Sequence, residues 1–382
     1  MSKTHYRGAS IFDGRELHEG AALVVEDGHV VGVEPDDPVR RGVIKEMLPG
    51  GVIAPGFVDL QVNGGDGIML NDAPERESIA RICAAHARLG TTALLPTLIT
   101  ANKQTMLAAL QAVRAAAGDR IPGFAGLHLE GPHLDPQRCG VHDPDVIRPM
   151  EPEDLHMLVE AATDLPALMV TLAPEAVTPH QIRALAQAGV IVSLGHSNTN
   201  AAVAKAAFAA GASCVTHLFN AMSPLGHREP GLVGAGLTED VYCGLIADGL
   251  HVLPEVLRIA LAAKRAPEKL FLVTDAMAPA GTELASFELD GQTVRRKDGC
   301  LMRGDGTLSG ADLDMLGAIR VMVEDVGIEM SRALAMATFV PGGLIDPSGS
   351  TGRLVPGSIA DFVHLGDELE LLGVWQRGKR LV

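Results

Sequence analysis

The chain is short of cysteine, of positive charge and of long apolar runs, and each shortage excludes something. Its five cysteines (Cys83, Cys139, Cys214, Cys243 and Cys300) are scattered, odd in number and form no CxxC pair. Reduced thiols in a cytoplasmic protein are the expectation, not a disulfide framework. Lysine and arginine number 31 against 47 aspartates and glutamates, a formal net charge of −16. Such a field disfavours nucleic acid or an acidic membrane as partner, and an anionic ligand needs a local basic patch. No apolar run is long enough to cross a bilayer. The stretch "MSKTHYRGASIFDG" lacks the apolar centre of a signal peptide. Low-complexity tracts and short repeats are absent as well.

What is present is a recurring unit: an apolar run, a polar loop, then a stretch of helical character. The 382 residues, 47% hydrophobic with 43 glycines, suit a packed globular protein. Eight runs stand out: "GFVDLQV" (56–62), "TALLPTL" (92–98), "FAGLHLE" (124–130), "ALMVTLA" (167–173), "VIVSLGH" (190–196), "CVTHLF" (214–219), "YCGLIAD" (242–248) and "LFLVTDA" (270–276). Strands alternating with helices imply parallel pairing through crossovers. Eight such units predict an α/β fold, a (β/α)8 TIM barrel. An open doubly wound sheet is the second choice. The ends differ, with short alternating runs and a hairpin signal at Glu26-Asp27-Gly28. Residues 1–52 and 346–382 are expected to join in one small β-sandwich, residues 53–345 to form the barrel, and residues 283–310 to be inserted hairpin strands.

In a barrel the site lies at the C-terminal strand ends. Those exits carry Asp59, Gln61 and Asn63; His128 and Glu130; His196; His217; Asp248 and His251; and Asp275. Glu130 ends an apolar strand, where a carboxylate is costly unless something cationic meets it. With His196 and His217 it forms the ligand set of an open divalent-metal site. Any one of the 14 histidines taken alone reads more simply as structural. The four residues Glu130, His196, His217 and Asp275 at strand exits read as a site for metal-assisted hydrolysis. Asp275 is the candidate proton carrier, and His142 a candidate donor to an oxyanion.

Six segments in order resemble the N-acetylglucosamine-6-phosphate deacetylases of the amidohydrolase superfamily: "PGFVDLQVNGGDG" (55–67), "LHLEGPHLDPQRCGVH" (127–142), "SLGHSNTN" (193–200), "THLFNAMSPLGHREPGLVGAG" (216–236), "IADGLHV" (246–252) and "VTDAMAPAG" (273–281). The resemblance implies that Glu130, His196 and His217 bind metal, that Asp275 is the catalytic acid/base and that His142 meets the acetyl carbonyl. It also implies substrate contacts from Gln61, Asn63, Val141, Asn220, Ala221, Arg228, His251 and Leu308. "LSG" (308–310) falls where these enzymes have a loop over the sugar. A homodimer is implied, in which one basic group at the phosphate comes from the neighbouring subunit.

Two departures from other amidohydrolases are informative. Gln61 and Asn63 stand where many carry His-x-His, so one divalent ion per subunit is expected, zinc first, with iron, manganese or cobalt as alternatives. No lysine ends the fourth run, against a dihydroorotase-like site. Deacetylation of N-acetylglucosamine 6-phosphate is the leading expectation. The galactosamine epimer is an alternative substrate, and a non-catalytic sugar-phosphate binder on the same fold is the reading from another class.

Overall fold

The computed structural model describes residues 3–37, 39, 42–289 and 291–382. Eight strands form one sheet, numbered here in chain order: β1 (Phe57–Val62), β2 (Thr91–Ile99), β3 (Leu127–Glu130), β4 (Leu168–Leu172), β5 (Ile191–Leu194), β6 (Cys214–Val215), β7 (Tyr242–Leu245) and β8 (Leu270–Leu272). Each pairs in parallel with the next. Beyond β8 the ring closes on β1: Val62 and Ala276 form a parallel bridge, and the Asp275 N–H donates to the Gln61 carbonyl at 3.1 Å. Closure removes both sheet edges and rules out the open doubly wound sheet.

The strands are buried on both faces, which is why they read as near-continuous apolar runs. One set of side chains (Leu129, Val170, Val192, Val215, Leu245) packs with helix residues such as Ile79, Leu110, Ile182 and Leu257. Another (Leu60, Leu95, Met169, Cys214, Phe271) forms a separate apolar cluster. Helix punctuation is local. Asn200 accepts the Val203 N–H at 2.9 Å to start the helix Ala201–Ala210, and Gly211 ends it at φ 123°.

The chain ends build two further sheets. One runs 29–35, 21–26, 4–7, 44–47 in spatial order; the other runs 379–380, 371–376, 362–365, 52–55, 10–12, 17–18. Residues from both termini share one core, in which Tyr6, Ile11 and Leu23 meet Phe362 and Trp375. The hairpin at Asp27-Gly28 has φ of 51° and 77°, as a two-residue primed turn requires. After β8, four antiparallel strands (Ser286–Leu289, Gln292–Lys297, Cys300–Met302, Leu308–Ala311) form a small sheet. The segment 308–310, at the end of the expected hairpin strands and at the place of the loop that the resemblance implies, opens the strand Leu308–Ala311. It is pinned to the barrel where the Ala311 N–H donates to the Asp275 carbonyl at 3.0 Å. Gly310 at φ 65° has no room for a side chain, since a Cβ would lie 2.4 Å from Met277.

Candidate active site

A cavity of about 430 Å3 opens at the C-terminal ends of the strands. Among its walls are Asn63, Glu130, Val141, His142, His196, His217, Asn220, Ala221, His251, Asp275 and Leu308. Gln61 is buried beside it, bonded to two of those residues. Arg228 is the exception: it is exposed, on the loop after β6, and does not line the cavity of its own chain.

The key side chains sit where the chain leaves its strands. His196, His217 and Asp275 lie two to three residues beyond β5, β6 and β8, with φ of 45°, 27° and 52°. Such left-handed turns cost about 1–3 kcal/mol each outside glycine and cluster at functional sites. "CVTHLF" was expected as a strand to residue 219, but pairing stops at Val215. The turn at His217 is what ends it.

Three donor atoms converge. His217 Nε2 and His196 Nε2 lie 3.0 and 3.2 Å from Glu130 Oε1, and 3.0 Å from each other. A triangle of this size matches three corners of a tetrahedral ion with ligands at about 2.0 Å. His196 Nδ1 faces the Arg138 carbonyl at 2.8 Å, so it carries the proton and leaves Nε2 as a lone pair. Two imidazole nitrogens pointing at one carboxylate and at each other suit a shared cation. Burial alone would push the Glu130 pKa up, but the hydrogen bonds and charges of His196 and His217 hold it well below the usual range.

His142 approaches the same place: its ring, Glu130 and His196 offer ligand atoms within 4.8 Å of one another. Its chemistry differs, however. His142 Nδ1 accepts the Thr100 backbone N–H at 3.2 Å and lies 2.8 Å from the Thr100 hydroxyl. In the neutral ring Nε2 then bears the hydrogen, and burial, reinforced by the neighbouring His196, keeps that ring neutral by lowering its pKa to about 3. His142 thus presents an N–H donor. Thr100 was missed by the sequence reading because β2 ends without a charged or imidazole residue.

Asp275 lines the same cavity and shares an amide with Glu130. Its Oδ1 accepts Gln61 Nε2 at 3.1 Å and Asn63 Nδ2 at 2.7 Å, while Gln61 Nε2 also donates to Glu130 at 3.1 Å. The two amides hold two carboxylates that would otherwise repel. Burial, and then the Glu130 charge, raise the Asp275 pKa to about 6. His251 Nδ1 pairs with Asp248 at 2.5 Å.

His128, placed by sequence at a strand exit, lies one layer lower and takes no part in the cavity wall. It sits between Thr97 (3.2 Å) and Thr171 (2.7 Å), and Thr171, Thr216 and Ser193 continue the chain at 2.6 Å per link. Burial lowers its pKa to about 4. This buried polar platform satisfies its own hydrogen bonds beneath the Glu130–His196–His217 triangle.

Comparison with known proteins identifies the family. The amidohydrolase family profile matches residues 52–381. An N-acetylgalactosamine-6-phosphate deacetylase from Shewanella sp. (strain ANA-3) is 41% identical, over 98% of this chain and 95% of its own. An N-acetylglucosamine-6-phosphate deacetylase from Haemophilus influenzae is 36% identical, over 94% of each. The crystal structure of N-acetylglucosamine-6-phosphate deacetylase from Pasteurella multocida superposes with a TM-score of 0.95 at 35% identity, covering all of both chains. A closed barrel, a site at its C-terminal mouth and these likenesses lead to one conclusion: the chain belongs to the amidohydrolase family and is a hydrolase acting on amide bonds.

Proposed function

We propose that the protein removes the acetyl group from N-acetylglucosamine 6-phosphate, releasing glucosamine 6-phosphate and acetate. The observation that carries this reading is the Glu130–His196–His217 triangle beside Asp275 in one cavity. In this reading those three residues hold one divalent ion. When bound, such an ion supplies Lewis-acid activation of water and carbonyl. Zinc fits two imidazoles and a carboxylate, as do iron, manganese and cobalt.

The chain's own residues do the rest. Asp275 Oδ1 is occupied by two amides, so Oδ2 is the atom that takes the proton from water and returns it to the leaving amine. A pKa near neutrality suits both halves of that exchange. His142 Nε2–H donates to the acetyl oxygen, where negative charge develops. Val141, Asn220, Ala221, His251 and Leu308 bound the sugar and its phosphate, while Gln61 and Asn63 position the carboxylates. The exposure of Arg228 supports its service to a second copy of the chain, and hence a homodimer. We assign residues 1–55 and 346–382 to the small domain and 56–345 to the barrel, because the strand Val52–Pro55, across which the expected boundary falls, pairs on both sides within the small domain's sheet. Five free cysteines support a cytoplasmic setting. Among the described residues no helix is long and apolar enough to cross a membrane.

The galactosamine epimer is a second reading, favoured by the name of the 41%-identical relative. Acetate release from both phosphorylated epimers, with metal analysis of the same preparation, decides between them. We expect faster turnover of the glucosamine compound and about one tightly bound divalent ion per subunit. Two tight ions would contradict the role given to Gln61 and Asn63, and no acetate from either epimer would overturn the reading.

A further inference from the structure

A phosphorylated sugar must enter a chain of net charge −16, and a cavity that already contains Glu130 and Asp275. Among the described residues lining that cavity, Arg138 alone carries a permanent positive charge; the other basic groups are imidazoles. Arg138 closes the short 3-10 turn Pro136–Arg138 in the segment between Glu130 and His142.

Several arginines pair with carboxylates, as in Arg7–Asp36, Arg148–Asp154 and Arg296–Asp312, and others, such as Arg258 and Arg320, donate to main-chain carbonyls. Among the described residues Arg138 has no such pair. Its Nε and Nη2 both donate to the Asn198 side-chain oxygen, at 3.0 and 2.7 Å. The Asn198 backbone N–H in turn donates to Asp135 at 3.3 Å. A neutral amide orients the guanidinium without neutralising it. The full charge remains available to a bidentate oxyanion such as phosphate.

Building on the deacetylase reading above, we propose that Arg138 is a further cation, beside the Arg228 supplied by a second copy of the chain, by which the protein selects the phosphorylated form of its substrate. It is a specificity-determining residue, oriented by Asn198. The main chain of the same residue has a separate task, since its carbonyl accepts the His196 Nδ1–H. A side-chain substitution leaves that carbonyl in place, so the two roles are separable.

The test compares wild type, Arg138→Ala, Arg138→Lys and Asn198→Ala on N-acetylglucosamine 6-phosphate and on N-acetylglucosamine. Inorganic phosphate serves as a competitive inhibitor, and metal content is measured throughout. Loss of one charge-assisted contact predicts about a 10- to 100-fold rise in KM for the phosphorylated sugar in Arg138→Ala. The preference for the phosphorylated over the plain sugar and the inhibition by phosphate fall in parallel, with metal retained. Arg138→Lys recovers part of the preference, most at low ionic strength, and Asn198→Ala loses part of it. An unchanged preference in Arg138→Ala, or an equal loss on both sugars, overturns the assignment. A wild type indifferent to the phosphate would instead overturn the deacetylase reading on which it rests.

Discussion

Trp375 in the small domain and Glu130 at the barrel mouth are equally hidden from water, at 1% and 2% exposure. Trp375 is stacked on Phe362 with centroids 4.8 Å apart and planes 10° apart, and Tyr6 meets both rings edge-on. Those contacts are non-directional and satisfied by the protein itself. Glu130 is met by two imidazoles and by an amide that it shares with the Asp275 carboxylate. Buried groups in the first region stabilise the fold. In the second they are held against their ordinary preferences by left-handed turns and second-layer amides. The small domain should therefore tolerate little without unfolding, and the mouth should lose chemistry before it loses structure.

The sharpest way to break this contrast is Asp275→Asn. The substitution keeps size and an acceptor for the Gln61 and Asn63 amides but removes the base. We expect kcat to fall about 10²–10⁴-fold, with metal retained and the melting temperature unchanged or higher. Near-wild-type kcat with metal in place would leave the site without its proton carrier. Loss of metal or stability in proportion to activity would make Asp275 structural instead.

Trp375→Ala probes the other side. Removing a fully buried indole should destabilise the protein by about 3–5 kcal/mol, seen as a lower denaturation midpoint. The fraction still folded should keep wild-type kcat. A variant with normal stability and depressed kcat would show that the two regions are not separable in this way.

The effect that is smallest at any one step of pH concerns Asp59, which joins strand and site. Its carboxyl meets the Thr274 hydroxyl at 2.5 Å and accepts the Gln61 N–H at 3.2 Å, and burial raises its pKa to about 7. The folded protein thus keeps a proton that the unfolded chain releases near its ordinary value of 3.8. This contribution to stability is full at low pH and is lost as pH rises toward 7, by at most about 1.4 kcal/mol per pH unit. Asp59→Asn cannot ionise, so thermal unfolding against pH should show a flatter decline between pH 4 and 7. Parallel profiles for variant and wild type would show that Asp59 does not hold that proton.

Much of this was legible in the residues because it depends on local pattern. Eight apolar runs separated by helical stretches specify a parallel sheet, since both faces of each strand must be covered. Asp27-Gly28 specifies its hairpin because few other pairs accept positive φ at both positions. Glu130, His196, His217 and Asp275 could be named because a barrel concentrates chemistry at strand exits. Tertiary structure alone decided how those exits are used. His128 and Glu130 are two residues apart on one strand, yet one is satisfied within a buried hydroxyl chain and the other faces the cavity. Arg138 and Arg228 look alike as loop arginines, but only the first lines the cavity of its own chain. Which nitrogen of His142 carries hydrogen depends on Thr100, 42 residues away. Each of these outcomes rests on distances fixed only when β8 closes on β1, and no window of sequence contains them.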